Sequence, residues 1–78
     1  MQTLGAMRPG EDARIVRVRG EGALRIRILE MGLTPGARVR VVKAAPLGDP
    51  IKILVRGYTL SLRRADAALV EVALTFGK

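Results

Sequence analysis

The chain contains no cysteine and no histidine among its 78 residues. The missing cysteine excludes disulfides, thiol nucleophiles and cysteine-based zinc sites, and the missing histidine removes a common acid–base group and metal ligand. The sequence also has no glycine-rich phosphate loop, no nucleophile–base pair and no two carboxylates expected to face one cleft. We therefore predict that the protein is not an enzyme and carries no cofactor.

Long apolar runs and aromatic residues are also scarce. No stretch reaches the roughly 20 apolar residues that cross a bilayer, and the N-terminus lacks the apolar core of a signal peptide. We therefore expect a cytoplasmic protein without membrane insertion. Tyr58 and Phe76 are the only aromatic residues, so the core is expected to consist of valine, isoleucine and leucine. The length predicts a single domain, residues 1–78, with a core at 4–74 and a frayed tail at 75–78.

Acidic residues are few: the chain has seven of them and fourteen basic residues, which leaves a net charge of +7. Such a balance favours nucleic acid, acidic protein or lipid surfaces as partners. No block of five like charges occurs and stacking aromatics are nearly absent, so nucleic acid is the less favoured partner. Glu11 and Asp12 form the only adjacent acidic pair, whereas a hard-metal site needs several converging oxygen ligands. We predict no metal site.

What the sequence does contain is a series of short apolar alternations separated by glycine and proline. These predict strands near 13–19, 37–44, 51–56, 58–63 and 70–74, a helix at 23–31 and a helical turn at 64–68. In the first strand Val16 and Val18 are expected to share the core face, while Ile15 falls on the arginine side, which indicates that the strand is bulged or covered there. The pattern predicts a mainly β fold with one inserted helix, closed into a small, bent barrel of about five strands.

Residues 29–50 contain the most distinctive signals. Gly32 is expected to end the helix, with Leu33 folding back onto the last helical turn. A Pro-Gly turn at 35–36 leads into a basic strand. The following loop, residues 45–50, has two prolines around an exposed-looking leucine. In the hairpin that follows, Tyr58, Leu60 and Leu62 are expected to face inward.

The order of these segments resembles the FeoA family of ferrous iron transport proteins over residues 4–72. The matching motifs are Arg-Ile-Leu-Glu-Met-Gly-Leu at 27–33, Pro-Gly at 35–36, Ala-Pro-Leu-Gly-Asp-Pro-Ile at 45–51 and Leu-Ser-Leu-Arg-Arg-Ala-Asp-Ala at 60–67. The resemblance implies an SH3-like barrel and a cytosolic accessory role in ferrous iron uptake. It also implies action on FeoB, a membrane iron permease with a cytoplasmic GTP-binding domain. With no transmembrane part attached, we expect the free-standing form. The family carries a metal-binding label, for which this chain offers neither histidine nor cysteine.

Two segments are candidates for contacting the permease: the predicted helix and the proline loop. The candidate residues are Arg25, Arg27, Leu29, Met31, Leu33, Pro46, Leu47, Asp49 and Pro50. The alternative for the helix is an ordinary solvated face, and the alternative for the loop is a rigid connection between two strands. In that connection Leu47 would cover the barrel end and Asp49 would only form the turn.

Two further hypotheses remain open at the level of sequence. The net positive charge and the arginines on outer strand faces suit a basic nucleic-acid-binding module of the SH3-like KOW type. The apolar C-terminal tail predicts that Phe76 packs against its own barrel or a neighbouring subunit, with weak self-association.

Overall fold

The computed structural model describes residues 2–75, which form one six-stranded sheet with short helical segments between its strands. The elements, in chain order, are β1 (Gln2–Thr3), a 3-10 turn (Leu4–Ala6), β2 (Asp12–Val18), α1 (Gly22–Glu30), β3 (Arg38–Ala44), β4 (Ile51–Val55), β5 (Tyr58–Leu62), α2 (Arg64–Ala67) and β6 (Val70–Thr75). Neighbouring strands are antiparallel in the order β1-β6-β2-β3-β4-β5. The predicted mainly β fold with one inserted helix is confirmed. Among the described residues, no helix is long and apolar enough to cross a membrane.

The core is aliphatic, as the scarcity of aromatic residues predicts. Alternate residues of β2, β3, β4 and β6 supply most of it, and α1 adds Ile28. The largest side chains with almost no exposed surface are Leu4, Met7, Ile15, Ile28, Leu33, Val39, Val41, Ile51, Ile53, Val55, Val70 and Val72. The sheet therefore buries one face against itself and α1, and leaves the other face to solvent.

The N-terminal segment contributes to the core in a way the sequence did not indicate. β1 pairs with β6, and Leu4 at the start of the 3-10 turn and Met7 directly after it are buried. Gly5 packs directly on α2, where a β-carbon would lie 3.0 Å from the Arg64 carbonyl oxygen and 3.1 Å from the Ala68 nitrogen. Only glycine allows that close approach between two backbones.

The bulge predicted in β2 is present, but it changes which residues face the core. The register against β6 shifts between Ile15 and Arg17, so Val16 is the extra residue and is 39% exposed. Ile15 and Val18 are buried. The expectation that Val16 shares the core face with Val18, and that Ile15 points away, is therefore wrong. One inserted residue reverses the alternation on its N-terminal side.

The β4–β5 hairpin turns through Arg56 and Gly57, which both have positive φ, 50° and 84°. This is the backbone pattern of a two-residue type I′ connection. Leu62 is buried and Leu60 half-buried, as predicted. Tyr58 does not face the core, because its hydroxyl donates a hydrogen bond to the Met31 carbonyl and its side chain remains 45% exposed.

The end of the chain differs in part from the expectation of a tail beginning at Thr75. Thr75 belongs to β6 and pairs with Asp12. The predicted packing of Phe76 lies outside the described residues.

Candidate protein-contact surfaces

The two groups of predicted contact residues lie at opposite ends of β4. The proline loop leads directly into Ile51. The C-terminal end of α1 is bonded to the residues that follow Val55, since the Arg56 Nε donates to the Gly32 carbonyl at 3.2 Å. A five-residue strand is about 16 Å long. The helix and the loop thus form two separate surfaces.

The proline loop has a defined conformation. The Gly48 N–H donates to the Ala45 carbonyl at 2.7 Å, and the Ala45 N–H donates to the Pro50 carbonyl at 3.0 Å. The Asp49–Pro50 peptide bond is cis. Backbone hydrogen bonds across the base of a loop reduce the conformational entropy that the loop would lose on binding.

Arg64, the first residue of α2, fixes this loop to the rest of the fold. Its backbone N–H donates to Asp49 Oδ1 at 2.9 Å, and its guanidinium donates to the carbonyls of Gly48 and Gly5. Asp49 therefore satisfies an otherwise unpaired N–H at the start of a helix. The sequence pattern gave no indication that Arg64 would link three segments.

Leu47 is the most exposed large apolar residue among those described, with 96% of its surface accessible. It stands between the exposed residues Pro46 and Asp49. The alternative in which Leu47 covers the barrel end is therefore wrong. The loop presents an apolar side chain on a fixed backbone, an arrangement suited to insertion into a pocket of another protein.

Leu33 cannot contact a partner as predicted, because it is fully buried. Gly32 has a φ of 98°, and this left-handed conformation turns the chain so that Leu33 packs beneath the end of α1. Leu29 and Met31 are half-buried against the same core. Only part of their surface remains for a contact.

On the outer face of α1 the two predicted arginines have different roles. Arg25 Nε donates to the Val18 carbonyl at 3.1 Å and so ties the helix to the end of β2. Arg27 is exposed. Between them lies Ile26, which is 54% exposed. It was missed because the apolar residues at helical spacing, Leu24, Ile28 and Met31 at i, i+4 and i+7, do not include it. The exposed face of α1 therefore combines an apolar and a cationic side chain.

An ion pair joins β2 and β3 on the outer face of the sheet. Arg40 Nε lies 2.9 Å from Asp12 Oδ1, and Arg40 Nη2 lies 3.1 Å from Asp12 Oδ2. The hydrogen bond from Arg40 lowers the pKa of Asp12, and the same contact raises the pKa of Arg40. This bidentate geometry shows how the face holds a carboxylate.

Within residues 2–75, no three acidic residues come together in a way that could hold a metal ion. The carboxylates of Asp12, Asp49 and Glu71 each accept hydrogen bonds from arginine or from backbone.

Comparison with known proteins gives consistent results. The chain is 49% identical over 71 residues to the Fe(2+) transport protein A/Fe(2+) transporter FeoB fusion protein of Porphyromonas gingivalis strain ATCC BAA-308 / W83. That match covers 91% of this chain but 8% of the fusion protein. The chain therefore spans less than a tenth of that relative.

Solved structures show the same fold. The crystal structure of an iron uptake regulatory protein, FeoA, matches with a TM-score of 0.86 and 34% identity, over 95% of this chain and 97% of that one. A Stenotrophomonas maltophilia FeoA complexed with zinc, described as an SH3 domain protein, matches with a TM-score of 0.82 and 27% identity. The match covers 94% of this chain and 91% of that one. The SH3-like fold is thus confirmed.

A family model described as the FeoA domain matches residues 2–74, which is nearly the whole chain and slightly more than the 4–72 inferred from sequence motifs. With that match and the agreement in fold, the chain belongs to the FeoA domain family.

Proposed function

We propose that this protein is a cytoplasmic accessory protein of ferrous iron uptake that acts by direct contact on a FeoB-type permease. The observation that carries the proposal is the similarity to the fusion protein, in which the two parts are one polypeptide. Fusion holds two partners at a high effective concentration, so it suits a contact that is weak between separate chains. The S. maltophilia relative is described as possibly acting as a ferrous iron transport activating factor.

The loop at residues 45–50 is the surface best suited to this contact. Leu47 supplies an apolar anchor, and the hydrogen bonds from Arg64 hold the loop in place before binding. A side chain on a backbone that is already held in place can enter a pocket without a large loss of entropy. Ile26 and Arg27 on α1 offer a second, smaller surface.

A binding titration tests the proposal. The protein is titrated against the purified cytoplasmic GTP-binding domain of a FeoB-type permease, with GDP and with a non-hydrolysable GTP analogue. We expect binding in at least one nucleotide state, and we expect Leu47→Ala to weaken it roughly tenfold or more. Leu47 is exposed, so this substitution should leave the free energy of unfolding unchanged within about 0.5 kcal/mol.

Val16→Ala is the matched control, since Val16 is an exposed apolar residue on the β2 bulge. It should leave the affinity unchanged. Failure to bind in either nucleotide state would refute direct contact. Equal losses in the two variants would exclude the loop as the contact surface.

A further inference from the structure

The outer face of β2, β3 and β4 carries an unusual concentration of positive charge. Strand alternation places basic side chains outward along all three strands. These residues are Arg14, Arg38, Arg40, Lys43 and Lys52. Asp12 is the acidic residue that shares this face among the described residues of the three strands. These five basic residues and Asp12 carry a net charge of +4, which is more than half of the chain's net charge of +7.

The pairing of these cations works against stability. Arg14 lies directly opposite Arg38 in the β2–β3 register, and Lys43 lies directly opposite Lys52 in the β3–β4 register. Like charges at directly opposed positions destabilise a sheet. Glutamate or threonine at one position of either pair would remove that repulsion. Features that oppose the local rules of stability are expected where a surface serves binding.

The carboxylate on this face is already neutralised. Asp12 accepts both hydrogen bonds from Arg40, as described above. Within residues 2–75, no acceptor is hydrogen-bonded to the side chain of Arg38. Arg56 is turned toward the end of α1, where its guanidinium donates to the Gly32 carbonyl and to the Thr34 hydroxyl. Arg38 is therefore the guanidinium placed to receive an anion from outside.

Arg38 opens onto a shallow cleft of about 350 Å³ whose floor is partly apolar. Leu54, which is 38% exposed, supplies the apolar side chain of this floor, whereas the side chains of Val39 and Val55 are buried in the core. Val42, farther along β3, is 41% exposed. The face therefore offers two partly exposed apolar side chains, Leu54 and Val42, among its cationic ones.

We propose that this cleft binds an acidic, partly apolar peptide segment of another protein, with a carboxylate of the segment on Arg38 and an apolar side chain on Leu54. Guanidinium groups form paired hydrogen bonds with carboxylates, and the Asp12–Arg40 pair shows that geometry two residues further along β3. Lys43 and Lys52 extend the positive charge beyond the cleft, so an extended segment fits better than a small anion. The site is separate from the Leu47 loop and does not depend on the permease as partner.

A peptide segment fits this face better than nucleic acid does. Single-stranded nucleic acids bind through aromatic side chains on which bases stack, together with a positive groove. The aromatic residue among those described is Tyr58, and its hydroxyl is bonded to the Met31 carbonyl. Exposed aliphatic groups such as Leu54 would face phosphates without a favourable contact.

Two-dimensional amide NMR titration of the full chain tests the proposal. The probe is a capped hexapeptide of alternating glutamate and leucine, and its glutamine–leucine counterpart is the neutral control. A single-stranded oligonucleotide is titrated in parallel. We expect the acidic peptide to shift amide signals near Arg38, Leu54 and Gly57, and the glutamine peptide to leave them unchanged. Tighter binding of the oligonucleotide to the same residues would overturn the proposal in favour of nucleic acid.

Charge reversal at one residue distinguishes binding in the cleft from a general effect of the protein's net charge. Arg38→Glu should weaken binding of the acidic peptide roughly tenfold or more, because a charged hydrogen bond is lost and a repulsion is added. Arg63→Glu makes the same change in net charge at the exposed N-cap of α2 and should weaken binding less than about threefold. Equal losses in the two variants, or no shift at Arg38 and Leu54 with the wild-type chain, would refute the site.

Discussion

At the scale of single residues, Arg64 has the largest structural role among the arginines. Its guanidinium joins the N-terminal turn to the proline loop by donating to the carbonyls of Gly5 and Gly48. Arg64→Ala should lower the free energy of unfolding by about 2–3 kcal/mol, because two carbonyls lose a charged donor in a partly buried position. Chemical denaturation followed by circular dichroism measures the change.

The preceding residue supplies the control. Arg63 is exposed and differs from Arg64 by one position in the chain. Arg63→Ala should change the free energy of unfolding by less than about 0.5 kcal/mol. If the two variants were equally stable, the hydrogen bonds of Arg64 would contribute nothing to the fold.

At the scale of elements, local pattern was sufficient to predict the helix and the five longer strands, with bounds within a residue or two. α1 was expected at 23–31 and runs from Gly22 to Glu30. The agreement is close because Gly32 ends the helix through a local backbone preference that does not depend on the rest of the fold. β1 and the 3-10 turn were missed. Their two- and three-residue lengths carry no periodicity, and they form only because β6 and α2 are present to pack against.

The contact residues were less predictable than the fold. From the sequence Leu47 was either exposed for contact or a cover for the barrel end, and its 96% exposure contradicts the second reading. Leu33 was misassigned as a contact residue, because the predicted fold-back after Gly32 buries it completely. The bond from Arg25 to Val18 is not encoded in local spacing. The cationic cleft was not predicted at all. It depends on the register between three strands, which sequence alternation does not specify.

The junction between the 3-10 turn and α2 yields a prediction at this scale. Gly5→Ala should lower the free energy of unfolding by about 1–3 kcal/mol, since the added β-carbon meets backbone atoms of Arg64 and Ala68 that cannot move away as a side chain can. Thermal and urea unfolding both report the loss.

Ala6→Ser, at the exposed neighbouring position of the same turn, should stay within about 0.5 kcal/mol of the parent protein. A fully stable Gly5→Ala variant would show that the turn and α2 can separate without loss of the fold.

At the scale of the whole molecule, the net charge of +7 and its placement act together. Excess charge of one sign favours solubility but opposes a compact state through self-repulsion. Because the Lys43–Lys52 pair lies on the same face as the proposed peptide cleft, stability and binding should respond to charge in opposite directions. The fold would then retain repulsion on this face because the peptide needs the charge.

Lys52→Glu tests this opposition, because it places a carboxylate opposite Lys43 and lowers the net charge by two. The free energy of unfolding should rise by about 0.5 kcal/mol, which for a domain of this size corresponds to roughly 2–4 °C in the melting temperature. The gain should shrink in high salt, where exposed charges are screened.

Arg63→Glu is the control for net charge. It lowers the net charge by the same amount but faces no cation across a strand pair, so it should stabilise the fold less. Equal stabilisation by both would assign the effect to net charge alone. A Lys52→Glu variant that is more stable and also binds the acidic peptide more tightly would contradict the opposition between the two.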